Sequence, residues 1–269
     1  GDAAAIIGRV QPPGLVGPTV LEWLIRAGLL ITDVDPEDSS PDAEEVVRVA
    51  FERLGDHLFA ARLLDGIKPG ELRDAISSGS LKFAFADAGA VLENQGLVEA
   101  LSIQVPEHQG FSIEIVDVLP PGGPRDAVLR ATIAAIPWRD PEHMTRQTQQ
   151  LLLEGLTTGG YGHEAFDTVL AVAAQNTAPD ALWLHGLLSR QSMPSRDGFL
   201  CGYFHEQVGL SSTVERLLRA PFEVESAEIP EPVCLRWAIL LLWFCLAADR
   251  RVRDRATKGL VAITQARPK

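Results

Sequence analysis

Cysteine and histidine residues are the first candidates for chemistry in this chain, and one pair has the spacing of metal ligands. Cys201 and His205 lie four residues apart, which places both side chains on one face of a helix. A zinc site needs at least one more ligand pair, and the sequence contains neither an HExxH nor a CxxC motif. We therefore predict no metal site and expect both residues to be half-buried in a helical core.

A carboxylate stands beside a histidine at Asp56 and His57, and an adjacent carboxylate can tune the pKa of an imidazole. On a helix, however, consecutive side chains point in different directions, whereas Glu52 shares a face with Asp56 and Arg53 with His57. Hydrolysis by paired carboxylates requires two carboxyl groups that face each other at a controlled separation. The sequence gives no such pairing, so we interpret this segment as a polar helix edge that docks on a neighbouring domain.

The glycine-rich segment TTGGYGHE, residues 157–164, is the nearest approach to a phosphate-binding loop. It lacks the Lys-Ser/Thr pair that holds the phosphates and Mg²⁺ in a P-loop, so a loop between helices is the better interpretation. The chain also lacks the GxSxG motif of a serine hydrolase. An enzyme that uses scattered histidines and carboxylates, such as a metal-dependent hydrolase, is the third alternative after the two given below.

Charge and cysteine content restrict the partners and the compartment. The 269 residues carry a formal net charge of −12, which repels phosphate backbones and predicts no nucleic-acid partner. Cys201, Cys234 and Cys245 do not form a disulfide framework, and free thiols indicate a cytoplasmic location. The sequence starts without a secretory signal or an initiator Met, so we expect it to be part of a longer protein.

A dense apolar run, Trp237 to Ala248, is followed by a strongly charged segment. Twelve apolar residues are fewer than the roughly 20 that span a bilayer, so we predict a helix buried within protein and no membrane partner. The charged segment offers i,i+4 pairs that support a helix by about 0.2–0.5 kcal/mol each. These pairs are Asp249–Arg253, Arg250–Asp254 and Asp254–Lys258.

The order of the remaining patterns predicts a mainly α-helical fold with two domains. Residues 18–30 predict a helix, LLITDV and VVRVAF a β-hairpin, and residues 52–65 a second helix, which together make a winged-helix-like unit over residues 1–66. Residues 67–269 predict irregular α-helical repeats, similar to an α-solenoid, with helices that include 72–77, 83–94, 141–155 and 250–266. Within them, residues 111–118, FSIEIVDV, fit a short strand or a helix start, and we interpret the five tryptophans as core anchors.

Four segments together carry a family resemblance. They are FERLGDHLFAARLL (51–64), NQGLVEALSIQVPE (94–107), SMPSRD (192–197) and LLLWFCLAADRRVRDRATKGLVAI (240–263). In this order they resemble the region downstream of the ATPase domain in bacterial STAND NTPases of the antiviral AVAST type, which are NACHT-like. In that family an effector and a nucleotide-binding switch precede a winged helix and a helical sensor that recognises a phage protein.

The resemblance implies a non-catalytic regulatory and sensing segment. ATP and Mg²⁺ would bind a domain absent from this chain, so no cofactor is expected here, and oligomers would form only in the full-length protein. Glu52, Arg53, Asp56 and His57 become candidates for a switch interface with the adjacent NTPase domain. Animal relatives place a nucleotide-contacting histidine where this chain has Glu52, so nucleotide contact by these residues is not expected.

The charged motif of the family corresponds to Arg250, Arg253, Asp254 and Lys258, which become candidates for a partner interface. A salt network at the start of a helix also explains them without any partner. The alternative function is a stand-alone α-helical scaffold that binds other proteins. An upstream GxxxxGK[ST] motif in the reading frame would favour the STAND interpretation, and a frame that starts near Gly1 would favour the scaffold.

Overall fold

The computed structural model describes residues 20–34, 45–108, 111, 113–158, 160–209, 212–223 and 229–266. The chain divides into an N-terminal unit, Gly1–Lys68, and a helical unit, Pro69–Lys269. The division lies two residues beyond the predicted boundary at 66/67 and within the segment 66–70 that separates the two predicted domains.

The N-terminal unit has the predicted order of helix, hairpin and helix. It contains α1 (Val20–Arg26), β1 (Leu30–Val34), β2 (Glu45–Val49) and α2 (Glu52–Leu64). The two strands are antiparallel, with Leu30 opposite Val49. Gly28 has φ of +69°, a conformation in which glycine carries no steric penalty, and it lets the chain turn from α1 into β1. The polar tip of the hairpin, residues 35–44, lies outside the described residues.

The helical unit is built almost wholly from helices, so the predicted mainly α-helical, solenoid-like class is confirmed. Its helices are α3 (Leu72–Ser77), α4 (Lys82–Phe85), α5 (Ala88–Glu93), α6 (Gln95–Glu107), α7 (Gly123–Ala135), α8 (Arg146–Thr157), α9 (Gly162–Ala173), α10 (Ala181–Arg190), α11 (Met193–Gln207), α12 (Thr213–Glu223), α13 (Glu231–Phe244) and α14 (Arg250–Ala266). Short 3₁₀ helices occupy Pro69–Glu71, Ile115–Val118, Ile136–Trp138 and Pro141–His143. Helices adjacent along the chain pack on one another, as α6 does on α7, α8 on α9 and α13 on α14.

Within residues 111–118, for which a strand and a helix start were both open, Ile115–Val118 forms a 3₁₀ helix. Two other local predictions were wrong. The single helix predicted over 83–94 is interrupted by Asp87, whose side chain accepts a hydrogen bond from Ala90 N and caps α5. The helix predicted over 141–155 begins only after Thr145, which caps α8. At both interruptions a short polar side chain bonds to backbone N–H groups and starts a new helix.

A buried ion pair joins four segments of the helical unit. Arg139 and Glu114 have side-chain exposures of 0% and 2%, and they form a bidentate pair with N–O distances of 2.6 and 2.9 Å. Arg139 Nη2 also donates to Ser102 O of α6 at 2.6 Å, and Thr148 Oγ1 of α8 donates to Glu114 at 2.9 Å. The pair therefore ties α6 and the start of α8 to the segments that precede and follow α7.

Close helix crossings depend on glycine at one position in α8. A Cβ atom on Gly155 would lie 2.3 Å from Ile133 Cδ1 of α7 and 3.1 Å from Ala165 Cβ of α9. Any side chain here would push against two helices at once. Gly155 therefore permits the three consecutive helices α7, α8 and α9 to pack closely.

The sequence predicts that all five tryptophans anchor the core, and this prediction is wrong for two of them. Trp237 and Trp243 are buried, and Trp183 is partly buried against the same core. Trp23 and Trp138, in contrast, are mostly exposed. Trp23 lies in a helix of seven residues and Trp138 ends a 3₁₀ turn, and such short elements cover little of a large ring.

Removal of one member of the buried ion pair should cost much of the stability. We expect Arg139→Met to lower the free energy of unfolding by about 3–5 kcal/mol, because Glu114 would remain buried without its cation. The double variant Arg139→Met with Glu114→Gln should recover part of that loss. Urea denaturation measures both effects, and a single variant within about 1 kcal/mol of the parent would show that the pair is not a structural constraint.

The glycine crossing predicts a specific non-additive effect. Gly155→Ala should destabilise the helical unit by about 1–3 kcal/mol through overpacking, although alanine is the better helix former. Ile133→Val removes the Cδ1 atom that the new methyl group would meet. We expect the double variant to be more stable than the sum of the two single variants predicts, as measured by chemical denaturation. Strict additivity would contradict the proposed clash.

Candidate protein-interaction surface

Helix α13 is apolar on two opposite sides, and only one side is buried. Trp237, Leu240, Leu241 and Phe244 belong to the core and pack among α9, α10, α12 and α14. Leu235, Leu242 and Leu246 lie on the other side and are exposed by 56%, 57% and 56%. The prediction that the run from Trp237 to Ala248 is buried within protein was therefore right for one face only.

Together with the neighbouring helix α10, the outer side of α13 forms a shallow apolar groove of about 340 Å³. We call this groove and its leucine rim the apolar face. Its lining residues are Leu182, His185, Ile239, Leu242, Trp243 and Leu246. On α13 the face continues to Leu235, so Leu235, Ile239 and Leu242 form one stripe of the helix, and Leu246 lies in the turn just after it.

An ion pair between the two helices holds this groove in shape. Asp180 caps α10 by accepting a hydrogen bond from Trp183 N at 3.0 Å, and its second oxygen accepts from Arg236 Nε of α13 at 2.9 Å. The same guanidinium donates to Asn176 Oδ1 at 2.6 Å. Since the Asp180 and Arg236 side chains are only 11% and 12% exposed, solvent screens this bond weakly. The start of α10 is thereby fixed against the N-terminal half of α13.

The floor of the apolar face includes a contact between two tilted rings. The centroids of the His185 and Trp243 rings lie 5.6 Å apart. The Arg196 guanidinium lies 5.3 Å from the centroid of the Trp243 ring. A rigid apolar groove with isolated polar edges is the shape that accepts the apolar stripe of a partner helix. Exposed leucines that are contiguous, unlike scattered ones, are typical of interaction sites.

Sequence reasoning missed this surface although the signal was present. The core positions 237, 240, 241 and 244 and the outer positions 235, 239, 242 and 246 make two separate helical stripes on the same segment. A helix that is apolar all round needs neighbours on every side, and the structure supplies α13 with neighbours on one side among the described residues.

The predicted partner-interface residues lie together on α14. Arg250 pairs with Asp254 at 3.1 Å, as the i,i+4 spacing predicted. Arg253 donates to Ala247 O at the end of α13, so the predicted Asp249–Arg253 pair is wrong. Lys258 is exposed further along the helix. The four residues are presented to solvent or to helix ends, and their role at a partner interface stays a prediction.

Asp249 pairs with Arg251 and not with Arg253 because it precedes the helix. It accepts hydrogen bonds from the Arg251 side chain at 2.8 Å and from Arg251 N at 2.8 Å. These bonds from Arg251 hold the pKa of Asp249 at about 2, so this residue remains charged and caps α14 at all ordinary pH values.

The predicted switch-interface residues occupy the first two turns of α2. Glu52 and Arg53 are exposed, and Asp56 and His57 are half-buried. Helix geometry places Glu52 above Asp56 and Arg53 above His57, as expected. Their role against an NTPase domain stays a prediction.

Other predicted features can be located in the described part of the chain. TTGGYGHE connects α8 to α9 and begins the latter, which is the loop that we expected. Cys201 is half-buried and His205 exposed on α11, and no group of three His, Cys, Asp or Glu side chains in the described ranges could hold a metal ion. No helix within those ranges is both long and apolar enough to cross a bilayer.

The exposure of the apolar face can be tested with a dye that reports apolar surface. We expect the double variant Leu242→Ser with Leu246→Ser to bind less 1-anilinonaphthalene-8-sulfonate than the parent while its melting temperature changes little, because both side chains are more than half exposed. Leu92→Ser, which removes an equally exposed leucine from α5, is the matched control. Equal dye binding by all three proteins would contradict a contiguous apolar face.

Comparison with known proteins adds one partial likeness. No family model and no solved structure matches this chain. The RuBisCO chaperone RbcX of Thermosynechococcus vestitus (strain NIES-2133 / IAM M-273 / BP-1) is 28% identical over 92 residues, which are 34% of this chain and 69% of that protein. The likeness covers about a third of the chain and connects it to a protein whose described role is that of a chaperone.

Proposed function

We propose that this chain is a non-catalytic, protein-sensing and regulatory segment of a STAND-type antiviral ATPase, and that the apolar face binds its protein ligand. The apolar face is the observation that carries this proposal. Leu182, Leu235, Leu242 and Leu246 remain half exposed or more, and covering them would gain roughly 25 cal/mol per Å² of apolar surface. A surface of this kind is stabilised by a partner and does no chemistry by itself.

The stripe on α13 defines the occupant. Residues 235 to 242 extend over about 10 Å of helix, or two turns, and Leu246 follows just after the helix, which matches one face of an amphipathic helix in the ligand. Such a helix would carry apolar residues at i, i+3 or i+4 and i+7. In the proposed setting the ligand is a phage protein and the compartment is the cytoplasm.

The remaining predicted residues take regulatory roles in this proposal. Glu52, Arg53, Asp56 and His57 face the adjacent NTPase domain, which binds ATP and Mg²⁺, and this chain binds no cofactor itself. Arg250, Arg253, Asp254 and Lys258 contact a partner, and oligomers form only in the full-length protein. The acidic chain binds no nucleic acid.

A stand-alone protein-binding scaffold is the second candidate, and the likeness to a RuBisCO chaperone favours it. Both candidates are binding modules without catalysis, and both use the apolar face. They differ in whether an NTPase domain precedes this region in the reading frame.

Two measurements test the proposed function. In the full-length protein, Leu242→Asp should abolish activation by the ligand while ATP affinity is unchanged, because a charge in the groove repels an apolar helix but lies outside the NTPase domain. Leu92→Asp on α5 is the matched control and should leave activation intact. Activation that survives Leu242→Asp would refute the assignment of the ligand site.

The second measurement concerns nucleotide binding by this chain alone. Isothermal titration with ATP and Mg²⁺ should detect no binding in the micromolar range. Micromolar affinity would contradict the assignment of the nucleotide switch to a separate domain.

A further inference from the structure

A second cleft, separate from the apolar face, runs between α8, α9, α10 and α11. It consists of two cavities of about 860 and 260 Å³. Both are lined by Leu156, Thr157 and Phe199, so they adjoin along these three residues. The cleft therefore has two halves with a common wall, and the two halves differ in chemistry.

The smaller half is apolar. Leu153, Leu184, Leu187 and Leu188 line it from α8 and α10, and Leu153 is 41% exposed at its edge. Arg196 is the cation in this half. Its Nε atom is paired with Asp197 at 2.9 Å and its guanidinium lies against Trp243, so its charge is already balanced. This half can accept aliphatic side chains.

The larger half is acidic. Glu164, Asp167 and Glu206 line it from α9 and α11. Arg130 neutralises Glu164 through bonds of 2.8 and 2.5 Å. A hydrogen bond of 2.7 Å joins His163 Nδ1 to the Glu206 carboxylate. Whenever the imidazole is neutral, this bond leaves the charge of Glu206 uncompensated.

Asp167 is held by hydroxyl groups, and none of the described Arg or Lys residues bonds it directly. It accepts hydrogen bonds from Tyr203 Oη at 2.7 Å and from Thr213 Oγ1 at 2.8 Å, and Arg216 reaches it only through Thr213. Burial, then the charge of Asp167, raises the pKa of Tyr203, so the phenol stays protonated and keeps donating. A group bound in the larger half of the cleft therefore meets the negative charges of Asp167 and Glu206.

The wall between the two halves is preformed. Phe199 packs edge-on against His163 at 5.1 Å and against Phe166 at 5.3 Å between ring centroids. Phe166 also packs against the fully buried Tyr203 at 4.8 Å. A ligand that enters this cleft therefore meets a fixed aromatic edge with leucines on one side and carboxylates on the other, and little rearrangement is needed.

We propose that this cleft binds a peptide segment of another protein in which aliphatic side chains are followed closely by lysine or arginine. The aliphatic side chains fill the leucine-lined half, and the basic group lies beside Glu206 and Asp167. Charge complementarity selects a basic over an acidic segment, since two carboxylates without directly bonded Arg or Lys repel a third. The inference is independent of the proposed function, because none of the residues that line the cleft also lines the apolar face.

A random twelve-residue peptide display library, selected against the immobilised chain, tests this proposal. We expect enrichment of peptides with two aliphatic residues followed within about five positions by Lys or Arg. Enriched peptides should bind Glu206→Gln about fivefold and Leu153→Ser about tenfold more weakly in fluorescence polarisation, since these changes remove an exposed ion pair and a partly buried apolar contact.

Matched controls separate the cleft from the rest of the surface. Glu223→Gln on α12 changes a carboxylate as exposed as Glu206, and Leu92→Ser on α5 changes a leucine that is more exposed than Leu153; both should leave peptide affinity unchanged. Leu242→Ser on the apolar face should also leave it unchanged, which separates failure here from failure of the proposed function. Selection of no aliphatic-basic pattern, or affinities that Glu206→Gln and Leu153→Ser do not alter, would overturn the proposal.

Discussion

The buried pair of Arg139 and Glu114 is the constraint on which the helical unit depends. Two charges removed from water are tolerated when they are paired and hydrogen-bonded, and here the guanidinium bonds a carboxylate in bidentate fashion and a backbone carbonyl of α6. Thr148 adds a bond from the first turn of α8. A purely apolar contact would permit the segments around α7 to slide, whereas this pair admits one arrangement. The close crossing at Gly155 and the cleft beyond it both build on that arrangement.

Both candidate binding surfaces follow from the way a helical repeat is covered. A stacked helix buries one side against its neighbours, and packing does not restrict the residue types on its outer side. On α13 the free side carries leucines, and at the junction of α8, α9 and α11 it carries leucines on one side and carboxylates on the other. No third shell of helices covers these surfaces within the described ranges.

Sequence reasoning recovered the elements far better than the surfaces. The bounds of α3 and α14 were predicted to the residue, since a periodic apolar pattern is a local property. The interruptions at Asp87 and Thr145 were missed because a capping side chain in the middle of an apolar pattern looks like any polar surface residue. The pair of Arg139 and Glu114 is 25 residues apart in sequence, and no local signal announces such a contact. The cleft was invisible for the same reason, since Leu153, Leu187 and Glu206 meet only through the packing of three helices.

Asp180 serves two elements at once, because it caps α10 and orients α13 through Arg236, which also holds Asn176. An uncharged residue at position 180, or a short residue at position 236, would remove the ion pair that joins α10 to α13. A substitution at position 176, 180 or 236 therefore calls for compensating substitutions at the other two positions. We therefore expect positions 176, 180 and 236 to co-vary among homologous sequences.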